Sequence, residues 1–320
     1  MKNKIFNASE KETYIHLTGG LGNQLFQYAA ALSTEPTKVK LLTLFGNPRS
    51  DISGKPDIMY FNLPETTIFS QSVRFRWSTR RVLNFNIRFN AVDNRNKFFT
   101  RIINLLSKTF LFFSVGELFT LHTGKGVGFS GYPKKSKKPL FIIGYFQSKN
   151  YFNLPSVIDK MMRIYPKQDE TLISIYKQKA ISEIPLVVHI RLGDYKIDDN
   201  FGILTKEYYK KALQLIETKT NFGRIWIFSD EPTLSLDFIP SAYHGKCEVI
   251  DLVKFSPGLS LEIMRLGVSY IIANSSFSWW GANLSYTKEP VIAYPEPWFK
   301  SLGTPRDLPQ KHWHRIEGHV

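Results

Sequence analysis

Leu186-Val187-Val188-His189-Ile190-Arg191-Leu192-Gly193-Asp194-Tyr195 is the stretch from which the fold is read. It opens as a short, nearly continuous apolar run, the pattern of a buried strand, and closes on a glycine and a charge. Residues 206–219 have helical periodicity. Arg224-Ile225-Trp226-Ile227-Phe228 is a second apolar run, ending at Ser229-Asp230. The alternation extends both ways. Residues 171–182 are helical, Val249-Ile250-Asp251 is a short strand, residues 260–267 are helical, Tyr270-Ile271-Ile272-Ala273 is a strand and Asn274-Ser275-Ser276 a turn. Strands alternating with helices predict parallel α/β layers. Ligands of such sheets sit beyond the carboxyl ends of the strands. The polar residues gather there: Arg191 and Asp194, Ser229 and Asp230, and the run Asn274, Ser275, Ser276, Phe277, Ser278.

The start of the chain repeats the theme. Tyr14-Ile15-His16-Leu17-Thr18 is β-prone, Gly19-Gly20-Leu21-Gly22 breaks it, and residues 23–32 favour a helix. Glycines at such a junction let the backbone approach a ligand, and the helix N-terminus offers N–H groups to a phosphate. The spacing is not the dinucleotide fingerprint, and a plain tight turn explains it equally well. Leu140-Phe141-Ile142-Ile143 is another buried strand, followed by Gly144-Tyr145-Phe146-Gln147.

Two further groups carry chemistry. His189 and Arg191 share one face of their strand, and an arginine fork suits two phosphate oxygens. The alternative is a structural ion pair between Arg191 and Asp194. Residues 274–281 set small donors beside Trp279 and Trp280, which suits a phosphate or a stacked sugar, or else a capped helix with core tryptophans. Metal sites look poor: no Asp-x-Asp occurs, and His312 and His314 have no evident third ligand. No Walker motif or Gly-x-Ser-x-Gly elbow is present.

Composition narrows the class. The 320 residues are 43% hydrophobic and 22% charged, which excludes wholesale disorder. One cysteine, Cys247, excludes a disulfide framework and a four-cysteine zinc site and fits a reducing compartment. No repeat of 20–50 residues is visible. No uncharged apolar run of about 18 residues and no N-terminal signal core appear, so the expected location is the cytoplasm. The net charge of +15 is concentrated. Between residues 74 and 138, fourteen Lys and Arg stand against Asp93 and Glu117, leaving +12 in that stretch. Its aromatic-rich segment 98–121 reads as a core helix with a solvated basic flank, as a basic amphipathic helix on the inner face of an anionic membrane, or as a nucleic-acid surface.

The blocks together resemble glycosyltransferase family 11, the α-1,2-fucosyltransferase family. The resemblance is carried by Gly19-Gly20-Leu21-Gly22-Asn23-Gln24-Leu25-Phe26-Gln27-Tyr28, by residues 189–195, and by residues 274–284. Residues 144–152 look like its intermediate block, and Phe228-Ser229-Asp230-Glu231-Pro232 resembles its Ser-Asp-Asp block. Pro297-Trp298-Phe299, Leu308-Pro309 and Trp313 are similar to its ending. The blocks keep family order over nearly the whole chain.

The resemblance implies a GT-B enzyme of α/β class, with two Rossmann-like domains facing across a cleft. Residues 1–165 would form the acceptor side, carrying the basic amphipathic helical insert 74–138, and residues 166–320 the nucleotide-sugar side. It implies GDP-β-L-fucose as donor, inversion, no metal or other cofactor, and the 2-hydroxyl of a terminal β-galactose as acceptor, on a lipid-linked unit of a bacterial surface polysaccharide such as O-antigen. Arg191 would neutralise the leaving phosphate, helped by Asn23 from the other domain, with Asp194 as base. Gly20, Gly22, His189, Asp230, Asn274, Ser275, Ser276, Phe277 and Ser278 would line the donor site with Arg191.

Three positions depart from the family. Leu192 stands where a second Arg is common. Ser260 stands where related enzymes read guanine with an acid, leaving Glu262 or Asp251 as substitutes. Asn283 stands where a bulky aromatic is common. The rivals are a transferase for another nucleotide sugar or hydroxyl, a nucleic-acid-binding protein using the basic region, and a non-catalytic carbohydrate-binding module.

Overall fold

The computed structural model describes residues 12–43, 56–69, 75–90, 97–124, 128–133, 137–167, 169–193, 195, 201–252, 254–301, 303–305 and 307–319. The chain divides into two compact units, one of Met1–Met59 and Leu63–Arg163, the other of Tyr60–Asn62 and Ile164–Val320. Each is an α/β unit built on a parallel sheet, the fold class expected from the alternation of elements.

In the first unit, β1 (Glu12–His16), β2 (Lys38–Leu42), β3 (Thr67–Phe69), β4 (Thr120–Thr123) and β5 (Leu140–Ile143) lie in the order β3-β2-β1-β5-β4. Strand β1 therefore has β2 on one side and β5 on the other, and the chain reverses its direction of sheet growth at that point. Helix α1 (Leu21–Leu32) is apolar on nearly every side and buried along almost its whole length. Helices α2 (Trp77–Asn90) and α3 (Lys97–Val115) place Leu83, Ile87 and Leu111 against Tyr14, Phe141 and Ile143 of the sheet. The basic region thus supplies two helices and the edge strand β4. Short helices α4 (Lys149–Phe152) and α5 (Pro155–Met162) complete the unit. The lysines Lys134 and Lys135 lie outside the described residues.

In the second unit, β6 (Leu186–Ile190), β7 (Ile225–Ser229), β8 (Cys247–Asp251), β9 (Ser269–Ile271), β10 (Val291–Glu296) and β11 (His314–Glu317) lie in the order β11-β10-β9-β6-β7-β8, all parallel. The apolar run in β6 is buried on both faces, as a central parallel strand requires. One face carries Leu186, Val188, Ile190, Ile225 and Ile227 against Tyr208, Tyr209, Leu213 and Ile216 of α7 (Lys206–Lys219). Trp226 meets α6 (Glu170–Glu183), its ring edge-on to Tyr176 and its indole N–H donating to Glu183 Oε2 at 2.6 Å.

After the short α8 (Pro232–Ser235), the helix expected over residues 260–267 instead runs Pro257–Met264 (α9). Ser256 caps it by accepting from the Leu259 N–H at 3.2 Å, and Pro257 supplies its first residue. Arg265 is its C-cap, and Gly267 beyond it lets the chain pass close to β6, where an added Cβ would lie 2.7 Å from Val187 Cγ2.

Candidate active site

Strands β6, β7 and β8 grow the second sheet outward in one direction. The chain then returns through α9 to place β9 on the other flank of β6. The carboxyl ends of β6 and β9 therefore bracket a topological switch point, where α/β sheets leave a crevice. Arg191 follows β6 and Asn274 follows β9. The expectation that polar strand ends converge is met by this strand order.

Arg191 forms an ion pair with Asp230, Nη1 to Oδ2 at 3.0 Å, each side chain about one fifth exposed. The same carboxylate accepts the backbone N–H of Leu192 at Oδ1 and of Gly193 at Oδ2, both at 3.0 Å. The sequence offered Asp194 as the partner of Arg191. Among the described residues its partner is Asp230, brought alongside because Ile190 and Ser229 are in register on β6 and β7. Asp194, the suggested base, lies outside the described residues.

Tyr195 ties the two strand ends together. The Arg191 guanidinium stands 5.6 Å from the centre of its ring, and its hydroxyl donates to the Asn274 carbonyl at 2.9 Å. His189 is buried with its ring 6.0 Å from that of Phe277. Burial first, and then the neighbouring Arg191 charge, push its pKa down to about 3, so this imidazole is neutral at physiological pH. Its Nδ1 is buried and has no hydrogen-bond partner among the described residues.

Residues 274–278 divide into braces and a rim. The Asn274 amide donates to the carbonyls of Phe201 (2.9 Å) and Gly202 (3.1 Å). Ser275 caps α10 (Ser276–Asn283), accepting from the Phe277 N–H at 3.3 Å. Ser278 turns inward and donates to the Ser275 carbonyl at 3.2 Å. Asn274, Ser275 and Ser278 are buried, while Ser276 and Phe277 are partly exposed at the positive end of the α10 dipole. Trp279 and Trp280 take the core reading. Both are fully buried, and the Trp279 indole donates to the Leu308 carbonyl at 2.8 Å.

Glu262 is not placed to read a base. It is fully buried on α9, paired with Arg265 at 2.8 Å and accepting the Tyr286 hydroxyl at 2.5 Å. Arg265 also donates to the carbonyls of Leu284 and Ile164. Asp251 ends β8, opposite Ser229. Ser260 is buried, its hydroxyl without a hydrogen-bond partner among the described residues.

The first unit has its own polar cluster at the β1–β5 switch point. Gly19 adopts φ +73°, and a Cβ there would lie 2.5 Å from Asn23 Nδ2. Gly20 is the extended residue that precedes α1, and Gly22 lies in its first turn. Asn23 accepts from Gln147 Nε2 at 2.6 Å. Gln24 and Gln27 are fully buried. Gln24 donates to the Gly19 carbonyl and accepts from the Ile58 N–H, both at 2.9 Å. Gln27 accepts from the Thr18 N–H and donates to the Gly144 carbonyl, both at 3.0 Å.

Sequence reasoning passed over three groups of residues here. Gln24 and Gln27 were read as helix formers, yet they staple the glycine turn. Tyr208 and Tyr209 on α7 donate to the carbonyls of Ile272 (2.6 Å) and His189 (3.2 Å), steadying both strand ends. Tyr195 is the third. The available signal was a pair of adjacent hydroxyl-bearing aromatics on an otherwise apolar helix face.

Among the described residues no three His, Cys, Asp or Glu side chains cluster as a metal site would require. What the second unit's geometry provides is a guanidinium held at a fixed angle by a carboxylate, beside a helix N-terminus, at the switch point of a parallel sheet. That arrangement suits a diphosphate.

A family model described as Glycosyl transferase family 11 matches residues 12–316. An Escherichia coli protein named Alpha-1,2-colitosyltransferase is 28% identical over 318 residues, covering 94% of this chain and 97% of its own. The O-antigen biosynthesis glycosyltransferase WbnK, also of Escherichia coli, is 25% identical over 304 residues, covering 89% of this chain and 94% of its own. Among solved structures, the fucosyltransferase NodZ from Bradyrhizobium aligns with 86% of this chain and 92% of its own at 13% identity, with a TM-score of 0.47. The family match runs through both units, from β1 to β11: the chain belongs to glycosyltransferase family 11.

Proposed function

We propose that this enzyme transfers a 6-deoxy-L-galactose-type sugar from its β-linked GDP donor to the 2-hydroxyl of a terminal β-galactose, inverting to an α-linkage. The acceptor oxygen attacks C1, the bond from C1 to the β-phosphate oxygen breaks with its electron pair leaving on GDP, and the acceptor proton passes to a base or to water. Charge grows on the departing phosphate. The observation that carries the reading is Arg191, fixed by Asp230 at the switch point, where a preorganised donor stabilises developing charge without reorganising. No metal enters this scheme, and the acceptor belongs to a bacterial surface polysaccharide such as O-antigen. The names of the two curated relatives, one an α-1,2-transferase and one an O-antigen enzyme, support the linkage and the setting.

The donor sugar is L-fucose or its 3-deoxy counterpart, colitose, the sugar in the first relative's name. Incubation with GDP-L-fucose, GDP-L-colitose and a panel of β-galactosides, followed by linkage analysis, tests both halves of the proposal. An α-1,2-linked product in the presence of chelator is expected. A product at another hydroxyl, or a melting temperature raised by UDP and not by GDP, would overturn it.

A further inference from the structure

Helix α3 leaves most of its apolar surface in solvent. A surface helix in water turns its apolar side inward and leaves its polar side to solvent. Along Lys97–Val115 the bonds to neighbouring elements run through polar side chains. Asn86 Nδ2 donates to Asn104 Oδ1 (2.9 Å) and Ser107 Oγ (2.8 Å), Thr79 and Ser114 share a hydrogen bond at 2.5 Å, and the Thr123 hydroxyl donates to Asn104 at 3.2 Å. Only Ile103, Ser107 and Leu111 are buried. The outward side presents Phe98, Ile102, Leu105, Leu106, Phe112 and Phe113, of which Leu105 and Phe113 are 66% and 62% exposed. Leu111 joins the core, but a core helix with a solvated basic flank would not leave these six apolar side chains in water.

The charge on the same two helices is of one sign. Neither α2 nor α3 contains an acid, and Arg80, Arg81, Arg88, Lys97, Arg101 and Lys108 are all exposed. At about 100° per residue, Phe98, Leu105 and Phe112 line the middle of the outward side, and Lys97, Arg101 and Lys108 run along its margin. An apolar strip edged by cations matches the boundary between acyl chains and anionic headgroups. By length and composition α3 could also cross a bilayer. Its inner side, however, is bonded to α2 and β4, and Lys108 lies near mid-helix, so lying flat keeps every hydrogen bond that crossing would break. A nucleic-acid groove would need accessible cations flanking its centre, not leucine and phenylalanine.

We propose that α3 lies in the plane of an anionic lipid bilayer, its Phe98–Leu105–Phe112 strip among the acyl chains and Lys97, Arg101 and Lys108 at the headgroup phosphates. The test is flotation of the full chain with vesicles of phosphatidylcholine alone or mixed with phosphatidylglycerol. Wild type is expected to float with the mixed vesicles, at least roughly tenfold more than with neutral ones. The pair Leu105→Glu/Phe113→Glu should abolish flotation and the pair Arg101→Glu/Lys108→Glu should reduce it roughly tenfold, both with unchanged melting temperature. Wild type left unbound, equal binding to both vesicles, or undiminished flotation of Leu105→Glu/Phe113→Glu would overturn the proposal. So would a solution dimer that the same pair splits without any vesicle binding, or retention of an RNA or DNA probe in place of lipid.

Discussion

The carboxylate of Asp230 and the guanidinium of Arg191 meet at 3.0 Å across the ends of two neighbouring strands. The pair sits at an accessible edge, so its worth lies in geometry and not in stability. Arg191→Ala is expected to lower turnover by about a hundredfold or more, the usual cost of losing one donor to a developing anion. Arg191→Lys should recover part of it, since an ammonium lacks the planar fork. Steady-state rates with GDP-L-fucose check both, and near-normal turnover in the alanine variant would remove Arg191 from the mechanism.

Gly193 has no room for a side chain. A Cβ there would stand 2.5 Å from Asp230 Oδ2, the atom that accepts from both the Gly193 N–H and Arg191. Gly193→Ala should shift that carboxylate and slow the reaction roughly tenfold, the worth of one charge-assisted hydrogen bond, while the melting temperature changes little. A large fall in melting temperature at unchanged turnover would contradict this.

His189 makes the fold acid-sensitive. Its pKa is about 3 in the folded chain, against an ordinary value of 6.5. Between those values the unfolded chain binds a proton that the folded chain refuses, so stability is complete above pH 6.5 and falls as pH drops toward 3, by about 1.4 kcal/mol per unit. His16, buried on β1 with a pKa of about 4, acts in the same direction down to that value. Melting temperatures from pH 8 to 4 should decline below about 6.5. In His189→Gln the decline should be shallower by one proton.

Glu262 and Arg265 form a fully buried pair, and removing one member leaves a charge without its counterion. Glu262→Ala should cost about 3–5 kcal/mol, read as a shift in denaturant midpoint. Discrimination between GDP and ADP in the protein that still folds should be unchanged, because this carboxylate faces Arg265 and Tyr286. Loss of guanine preference would restore it as a base reader.

Gln27 bridges two backbone groups, and Gln27→Leu fills the space while orphaning both. A loss of about 1–3 kcal/mol per group is expected, measured by denaturant unfolding. A loss below about 1 kcal/mol would show that water replaces the side chain.

How much of this was legible depended on range. The strands β1, β5, β6 and β7 announce themselves as unbroken apolar runs, and Ser229-Asp230 stands at a strand end in plain view. Strands β2, β3, β4, β10 and β11 escaped because they are short or lie at or near sheet edges: Lys38-Val39-Lys40-Leu41-Leu42 alternates over only four residues, and His314-Arg315-Ile316-Glu317 has a single apolar residue. The polar residues at the strand ends are visible in the sequence, but their hydrogen-bond partners are not. Spacing cannot tell that Asn274 and Ser278 turn inward or that Asp230 lies beside Arg191, since both depend on which strand becomes the neighbour. The orientation of α3 was hidden for a related reason: periodicity shows that a helix has an apolar side, not which way that side is turned.

The glycine turn after β1 has a consequence for biosynthesis. Its braces come from Gly144 and Gln147, more than a hundred residues downstream of Gln27 and Asn23. On the ribosome, β1 and α1 emerge long before the groups that complete them, and the basic, greasy helices α2 and α3 emerge in between. Closure of so distant a contact is slow, and exposed apolar chain is prone to aggregate while it waits. The β1–α1 segment is thus made well before it can acquire its final shape.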